Sequence, residues 1–127
     1  MMIYKIISQK PIKEIKEELA KHAKERGFGI LGSYEFKKIL QAKGFPIEKD
    51  ITLYELCNPS AAQEALSSLP EISVFLPCRL SLYEENGETV MATIDIREIL
   101  KSVDVDEDFK LQMSSVFEYL EQLMKSW

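Results

Sequence analysis

The chain has 127 residues, of which 46% are hydrophobic and 29% charged, and its formal net charge at pH 7 is −5. This length fits one domain over residues 1–127 that buries a core without a metal or a disulfide, and the composition excludes a disordered chain. The negative charge opposes binding to nucleic acid and to anionic lipid, and no apolar run reaches the roughly 20 residues of a membrane-spanning helix. We therefore expect no nucleic-acid partner and no membrane partner.

The first residues, "MMIYKIISQKP", predict a strand over 2–8 because β-branched and apolar side chains dominate the segment. Lys5 interrupts the apolar stretch, and no small-residue cleavage site follows it, so the segment does not have the pattern of a signal peptide. We expect a cytoplasmic protein on this basis. In that compartment the two cysteines are thiols and not a structural disulfide.

The next elements alternate between helix and strand. The patterns predict a helix that Pro11 starts and Gly27 ends, a strand over 28–34, a short helix that ends at Gly44, and a strand over 50–57. Apolar residues follow helical spacing in the first of these helices, at Ile12, Ile15, Leu19 and Ala23. This helix is therefore predicted to pack one face on a core.

The second half of the chain predicts a hairpin and a long closing helix. The patterns indicate a helix over 59–69, a strand over 72–85, a tight turn at Asn86-Gly87, a strand over 88–94, a short helix over 96–101 and an amphipathic helix from about 106. Five strands with two long helices predict an α+β protein. Its sheet is mainly antiparallel, with the two long helices packed on one face and short extra helices beside them.

Cys57 directly precedes a predicted helix start in "CNPS", where Asn58 is a good N-cap and Pro59 suits the first helical position. Ser60 and Gln63 offer a second capping register two residues later. Free N–H groups and the positive end of a helix dipole lower the pKa of a nearby thiol, which favours a reactive cysteine. Cysteine is also often buried, so packing is the other interpretation.

Cys78 follows Pro77 within the longest strand pattern, and alternation places it on the more apolar face. A proline cannot donate to a sheet ladder, so this point is an edge, a bulge or an end of regular pairing. If the strands with Cys57 and Cys78 are neighbours, the two sulfurs approach each other or a common ligand. Two cysteines supply half of a tetrahedral zinc site, and the only histidine, His22, lies on the first helix, so we expect no metal and no cofactor.

The acidic segment "VDVDEDF" has the Asp spacing of a calcium loop at Asp104, Asp106 and Asp108. Phe109 and Ser115 replace the glycine and the glutamate that define such a loop, so we interpret these acids as caps of the last helix. No phosphate-binding, dinucleotide-binding, serine-hydrolase or zinc-protease motif is present in the sequence.

Three segments together resemble a known family: "KERGFGILGSYEFKKILQAKGF", "YELCNPSAAQEALSSLPEISVFLPCRLSLYEENGETVMATIDIREIL" and the closing helix. They resemble the domain of unknown function 302 family, whose members carry C-N-P before an alanine-rich helix and then L-P-C before a strand. The resemblance implies a fold similar to the TATA-binding-protein type, β-α-β-β-β-β-α. It also implies a homodimer and an association with thiol-redox and sulfur-transfer domains.

The resemblance carries five positions onto this chain as motif residues without an established role: Cys57, Asn58, Pro59, Pro77 and Cys78. The chain departs from the family pattern in two places. Ser73-Val74-Phe75 stands where relatives have a glycine, which suggests a local backbone change near Pro77. Ile96 stands where relatives have a proline, which leaves the Asp95 cap intact.

Two functions remain open on the sequence. One is a thiol-dependent protein, related to redox chemistry or sulfur transfer, that uses Cys57 and Cys78 with a small-molecule or thiol partner. The other is a non-catalytic module that binds a small ligand or a second copy of the chain, with cysteines that only pack. In either case we expect the site to be lined by Asn58, Pro59, Pro77 and Arg79.

Overall fold

The computed structural model describes residues 2–127 and contains one antiparallel sheet. The five strands are β1 (Ile3–Ser8), β2 (Gly29–Glu35), β3 (Thr52–Cys57), β4 (Cys78–Glu85) and β5 (Glu88–Ile94). Their order in the sheet is β1-β5-β4-β3-β2, and every neighbouring pair is antiparallel. The predicted α+β class is confirmed.

The helices are α1 (Ile12–Glu25), α2 (Phe36–Ala42), α3 (Pro59–Ser68), α4 (Ile96–Leu100) and α5 (Glu107–Met124). A 3₁₀ helix spans Pro70–Phe75, between α3 and β4. Gly27 ends α1 as predicted: its φ of 83° is in the left-handed region, and its N–H donates to the carbonyl of Lys24 at 3.1 Å. No helix within residues 2–127 is long and apolar enough to cross a membrane.

The main core lies between one face of the sheet and the two long helices. From α1 it takes Ile15, Leu19 and Ala23; from α5 it takes Phe117, Leu120, Leu123 and Met124; from the sheet it takes Leu56, Leu80, Leu82 and Met91. Each helix contributes residues three or four positions apart, and the strand residues alternate, as the two side-chain periods require. The predicted packing of both long helices on one face is confirmed.

A second core cluster lies beside the first. It joins α3, the 3₁₀ helix, α4 and the first half of α5 through Ala65, Ile72, Leu100, Phe109 and Met113. Ile96 and Val116 pack against both clusters, so the two cores are continuous. This cluster holds α3 and the 3₁₀ helix over the end of the sheet at which β3 stops and β4 starts.

The predicted hairpin is present. Asn86 and Gly87 connect β4 to β5 with φ values of 54° and 76°, and Glu85 pairs with Glu88 at the turn. Positive φ at both central residues is the geometry that a two-residue turn of this kind needs, and asparagine followed by glycine adopts it readily.

The predicted strand over 72–85 is wrong in its first part, because β4 begins only at Cys78. Residues before it form the 3₁₀ helix, in which the N–H of Leu76 donates to the carbonyl of Ser73 at 3.2 Å. Pro77 lacks an N–H for a ladder, and Ile72 is buried in the second core cluster. The alternating apolar pattern continues through the segment, but tertiary packing favours the 3₁₀ helix over a strand.

The likeness to the TATA-binding-protein fold stays a prediction.

Candidate functional site

Cys57 is the last residue of β3 and is half-buried. Asn58 follows it and caps α3, because its Oδ1 accepts a hydrogen bond from the N–H of Ala61 at 3.1 Å. Pro59 occupies the first position of the helix, where its missing N–H is not needed. Of the two capping registers that the sequence allowed, the structure contains the one at Asn58. Cys57 thus comes directly before the N-cap, at the positive end, of a ten-residue helix.

Cys78 is the first residue of β4 and pairs with Leu56, the residue before Cys57. It packs against the main core, as the alternation of β4 predicted, and both cysteines are free thiols. Burial, and to a smaller extent the nearby Cys57 thiol, raise the pKa of the Cys78 thiol well above its ordinary value, to about 11. A thiol with this pKa is protonated at neutral pH.

Both cysteines line one cavity of about 510 Å³ at this end of the sheet. The 3₁₀ helix and the following Leu76 and Pro77 form one wall, and α3 forms the adjacent wall. Buried residues of the main core form the base, among them Leu56, Phe117 and Leu120. The rim carries exposed apolar side chains from four elements: Leu31, Leu66, Val74, Phe75 and Ile94.

Polar groups are few among the residues that line the cavity. Asn58 is engaged in the helix cap, and the hydroxyl of Thr93 donates to the backbone carbonyl of Arg79. Arg79 is the charged residue of the lining, which contains no Asp, Glu, Lys or His from residues 2–127. The cavity is therefore an apolar chamber with one cationic side chain.

Arg79 is half-buried and lies on β4 opposite Glu55 of β3. The Glu55 carboxylate accepts a hydrogen bond from the Tyr34 hydroxyl at 3.1 Å. Among residues 2–127, no ion pair within 4.0 Å includes the Arg79 guanidinium. Glu55 is thus the acidic neighbour of Arg79, and its carboxylate is hydrogen-bonded to Tyr34 and not ion-paired with the guanidinium within 4.0 Å.

The structure brings five of the six predicted site residues to the same cavity: Cys57, Asn58, Pro77, Cys78 and Arg79. Pro59 is exposed and is not part of the lining. Sequence reasoning missed the base of the cavity, including Phe117 and Leu120 on α5. Their helical spacing identified them as core residues but could not indicate which part of the sheet they cover.

The other residues that the sequence singled out lie elsewhere. His22 is stacked on Trp127 with ring centroids 4.2 Å apart, and its Nδ1 lies 2.7 Å from the hydroxyl of Ser126. Asp106 caps α5, accepting a hydrogen bond from the N–H of Phe109 at 2.8 Å. Within residues 2–127, no group of three or more His, Cys, Asp or Glu side chains is placed to hold a metal ion.

Comparisons with known proteins agree on one family. The family described as "Domain of unknown function DUF302" matches residues 4–127. The chain is also similar to a solved structure titled "Crystal structure of uncharacterized conserved protein DUF302 from Bacillus stearothermophilus". That similarity has a TM-score of 0.89 and 27% sequence identity, and it covers 98% of this chain and 96% of the other. A comparison with curated proteins gives no match.

Proposed function

The chain belongs to the DUF302 family, and we propose that it is a binding module that holds an apolar small molecule in the cavity beside Cys57 and Cys78. The observation that carries this proposal is the cavity itself. Its volume of about 510 Å³ lies within the range of roughly 300–1,000 Å³ that is usual for small-molecule sites.

The composition of the walls supports an apolar ligand. Leucine, isoleucine, valine, phenylalanine and methionine side chains dominate the lining, and they come from the sheet, α3, the 3₁₀ helix, α4 and α5. Apolar surface that a ligand covers contributes roughly 25 cal/mol per Å² to binding. Val74 and Phe75 are 71% and 37% exposed at the rim, so a ligand would cover apolar surface that water now contacts.

The proposal is tested with the neutral fluorophore N-phenyl-1-naphthylamine, whose emission rises when it enters an apolar site. We expect saturable binding to the protein. Ala62→Trp should abolish the signal, because Ala62 lines the cavity and a tryptophan side chain there fills it. Gln63→Trp is the matched control: the neighbouring residue on α3 is exposed and lies outside the lining.

Circular dichroism on both variants checks that each one folds. The proposal fails if the wild-type protein does not bind the fluorophore, or if folded Ala62→Trp binds it as well as Gln63→Trp does.

A thiol-dependent function is the second candidate, and it is supported by the presence of two free thiols at one cavity. In this function Cys57 would be the attacking thiol, because it is half-buried and precedes the N-terminus of α3. Cys78 would be the partner thiol, since burial raises its pKa to about 11 and keeps it protonated.

Alkylation of the folded protein with iodoacetamide over a series of pH values, measured at each cysteine by mass spectrometry, tests this candidate. A thiol-dependent function predicts that Cys57 is labelled in the folded protein and that it reacts faster than the buried Cys78. It fails if both cysteines stay unlabelled until the protein is unfolded.

The homodimer and the cytoplasmic location stay predictions. Light scattering of the purified protein measures the first: we expect a particle of twice the mass of the chain, and a particle of the mass of one chain contradicts it.

A further inference from the structure

We propose that the ligand of the cavity is an amphipathic carboxylate, with its alkyl chain inside the chamber and its carboxylate at Arg79 on the rim. This inference rests on the proposed binding function and names the ligand class. The inference starts from the composition of the lining. Arg79 is its one charged residue, the walls around it are mainly apolar, and no acidic residue among residues 2–127 lines the cavity.

Arg79 is suited to a carboxylate. An arginine guanidinium is a planar group that can donate two parallel hydrogen bonds to the two oxygens of a carboxylate. The half-buried position of Arg79 weakens screening by water, and within residues 2–127 no carboxylate lies close enough to form an ion pair with it. Glu55 on the neighbouring strand already accepts a hydrogen bond from Tyr34.

The N-terminus of α3 adds to the positive potential at the same cavity. Asn58, the N-cap of this ten-residue helix, and Ala61, in its first turn, both belong to the lining. The helix dipole places partial positive charge at this end and favours an anion near it. The protein as a whole has a net charge of −5, so an anionic ligand is attracted by this local arrangement and not by the overall charge.

The walls determine the other half of the ligand. Apart from Arg79 and a few uncharged polar groups, the chamber offers only apolar contacts, which match an unbranched alkyl chain. Each methylene that enters such a site strengthens binding by roughly fourfold until the cavity is filled. Affinity for alkyl carboxylates should therefore rise with chain length and then reach a plateau.

The test compares decanoate with 1-decanol as competitors of bound N-phenyl-1-naphthylamine at about pH 7.5, where decanoate is ionised. We expect decanoate to bind about tenfold more tightly than decanol, since a hydrogen-bonded charge is added at Arg79. Arg79→Gln should remove this preference and leave the affinity for decanol within about twofold. Arg26→Gln is the matched control, because Arg26 lies at the end of α1 and outside the lining.

The outcomes separate the two proposals. If the wild-type protein binds decanol and decanoate equally, or if Arg79→Gln keeps the preference for decanoate, the carboxylate inference is overturned and the binding function stands. If neither decanol, decanoate nor the fluorophore binds, both proposals are overturned. A preference that Arg79→Gln abolishes and Arg26→Gln retains supports the inference.

Discussion

At Cys78 the environment of one side chain determines its protonation. The residue begins β4 and packs against the main core, and this burial raises the pKa of its thiol to about 11. In the unfolded chain a cysteine thiol titrates near 8.5. Between these two values the unfolded chain has lost the proton and the folded chain has kept it. The free energy of unfolding therefore decreases as the pH rises through this window.

We predict that this decrease depends on Cys78. The difference in unfolding free energy between the wild-type protein and Cys78→Ala should become smaller from about pH 8 to about pH 10.5, because alanine has no proton to lose. Urea unfolding at both pH values measures it. Ser81→Ala, on the same strand, removes a group that does not titrate in this range. The difference in unfolding free energy between the wild-type protein and this control variant should therefore be the same at both pH values. A constant difference for Cys78→Ala contradicts the prediction.

At the scale of elements, the 3₁₀ helix over Pro70–Phe75 is the segment in which local pattern and tertiary structure disagree. Its apolar residues continue the alternation of β4, yet they point to different surroundings. Ile72 is 2% exposed in the second core cluster, whereas Val74 is 71% exposed at the rim of the cavity. A single strand would place Ile72 and Val74 on the same face of the sheet. The 3₁₀ helix instead buries one side chain and exposes the other.

The different burial of Ile72 and Val74 predicts that truncating each side chain to alanine lowers the free energy of unfolding by different amounts. Ile72→Ala should lower the free energy of unfolding by about 2–4 kcal/mol, because it removes buried methyl groups and leaves a cavity. Val74→Ala should change it by no more than about 0.5 kcal/mol, because the side chain is exposed. Urea unfolding of both variants measures the two values. Equal losses would contradict the burial that the structure assigns to Ile72.

At the scale of the whole molecule, two residues pack against both core clusters, and Trp127 contacts α1. Ile96 and Val116 pack against both clusters. Trp127 packs on the main core, stacks on His22 and donates a hydrogen bond from Nε1 to the Glu18 carboxylate at 2.9 Å. Shared residues couple the clusters, so the part over the cavity should not unfold before the sheet.

We therefore predict a single cooperative unfolding transition. Trp127 is the only tryptophan, so its fluorescence reports the main core, while far-ultraviolet circular dichroism reports helices of both clusters. The two signals should give the same urea midpoint. A dichroism change that precedes the fluorescence change would show that the second cluster unfolds independently.

The sequence predicted the elements whose signals are local. The spacing of Ile15, Leu19 and Ala23 identified the buried face of α1, and Asn86-Gly87 identified the hairpin. The candidate site could be predicted in part, because the C-N-P and L-P-C motifs pointed to residues at the meeting ends of β3 and β4. The state of Cys78 and the base of the cavity could not be predicted, since both depend on what packs above the sheet.

By itself, the sequence determined the helical and strand periods, the Asn86-Gly87 turn and the family, because the residues that carry each of these signals form short segments of the chain. Only the tertiary structure decided that Pro70–Phe75 is a 3₁₀ helix and not part of a strand, and that Phe117, Cys57 and Arg79 line the same chamber. The reason is physical: burial is set by contacts between residues far apart in the sequence, and these contacts override the local pattern wherever the two disagree.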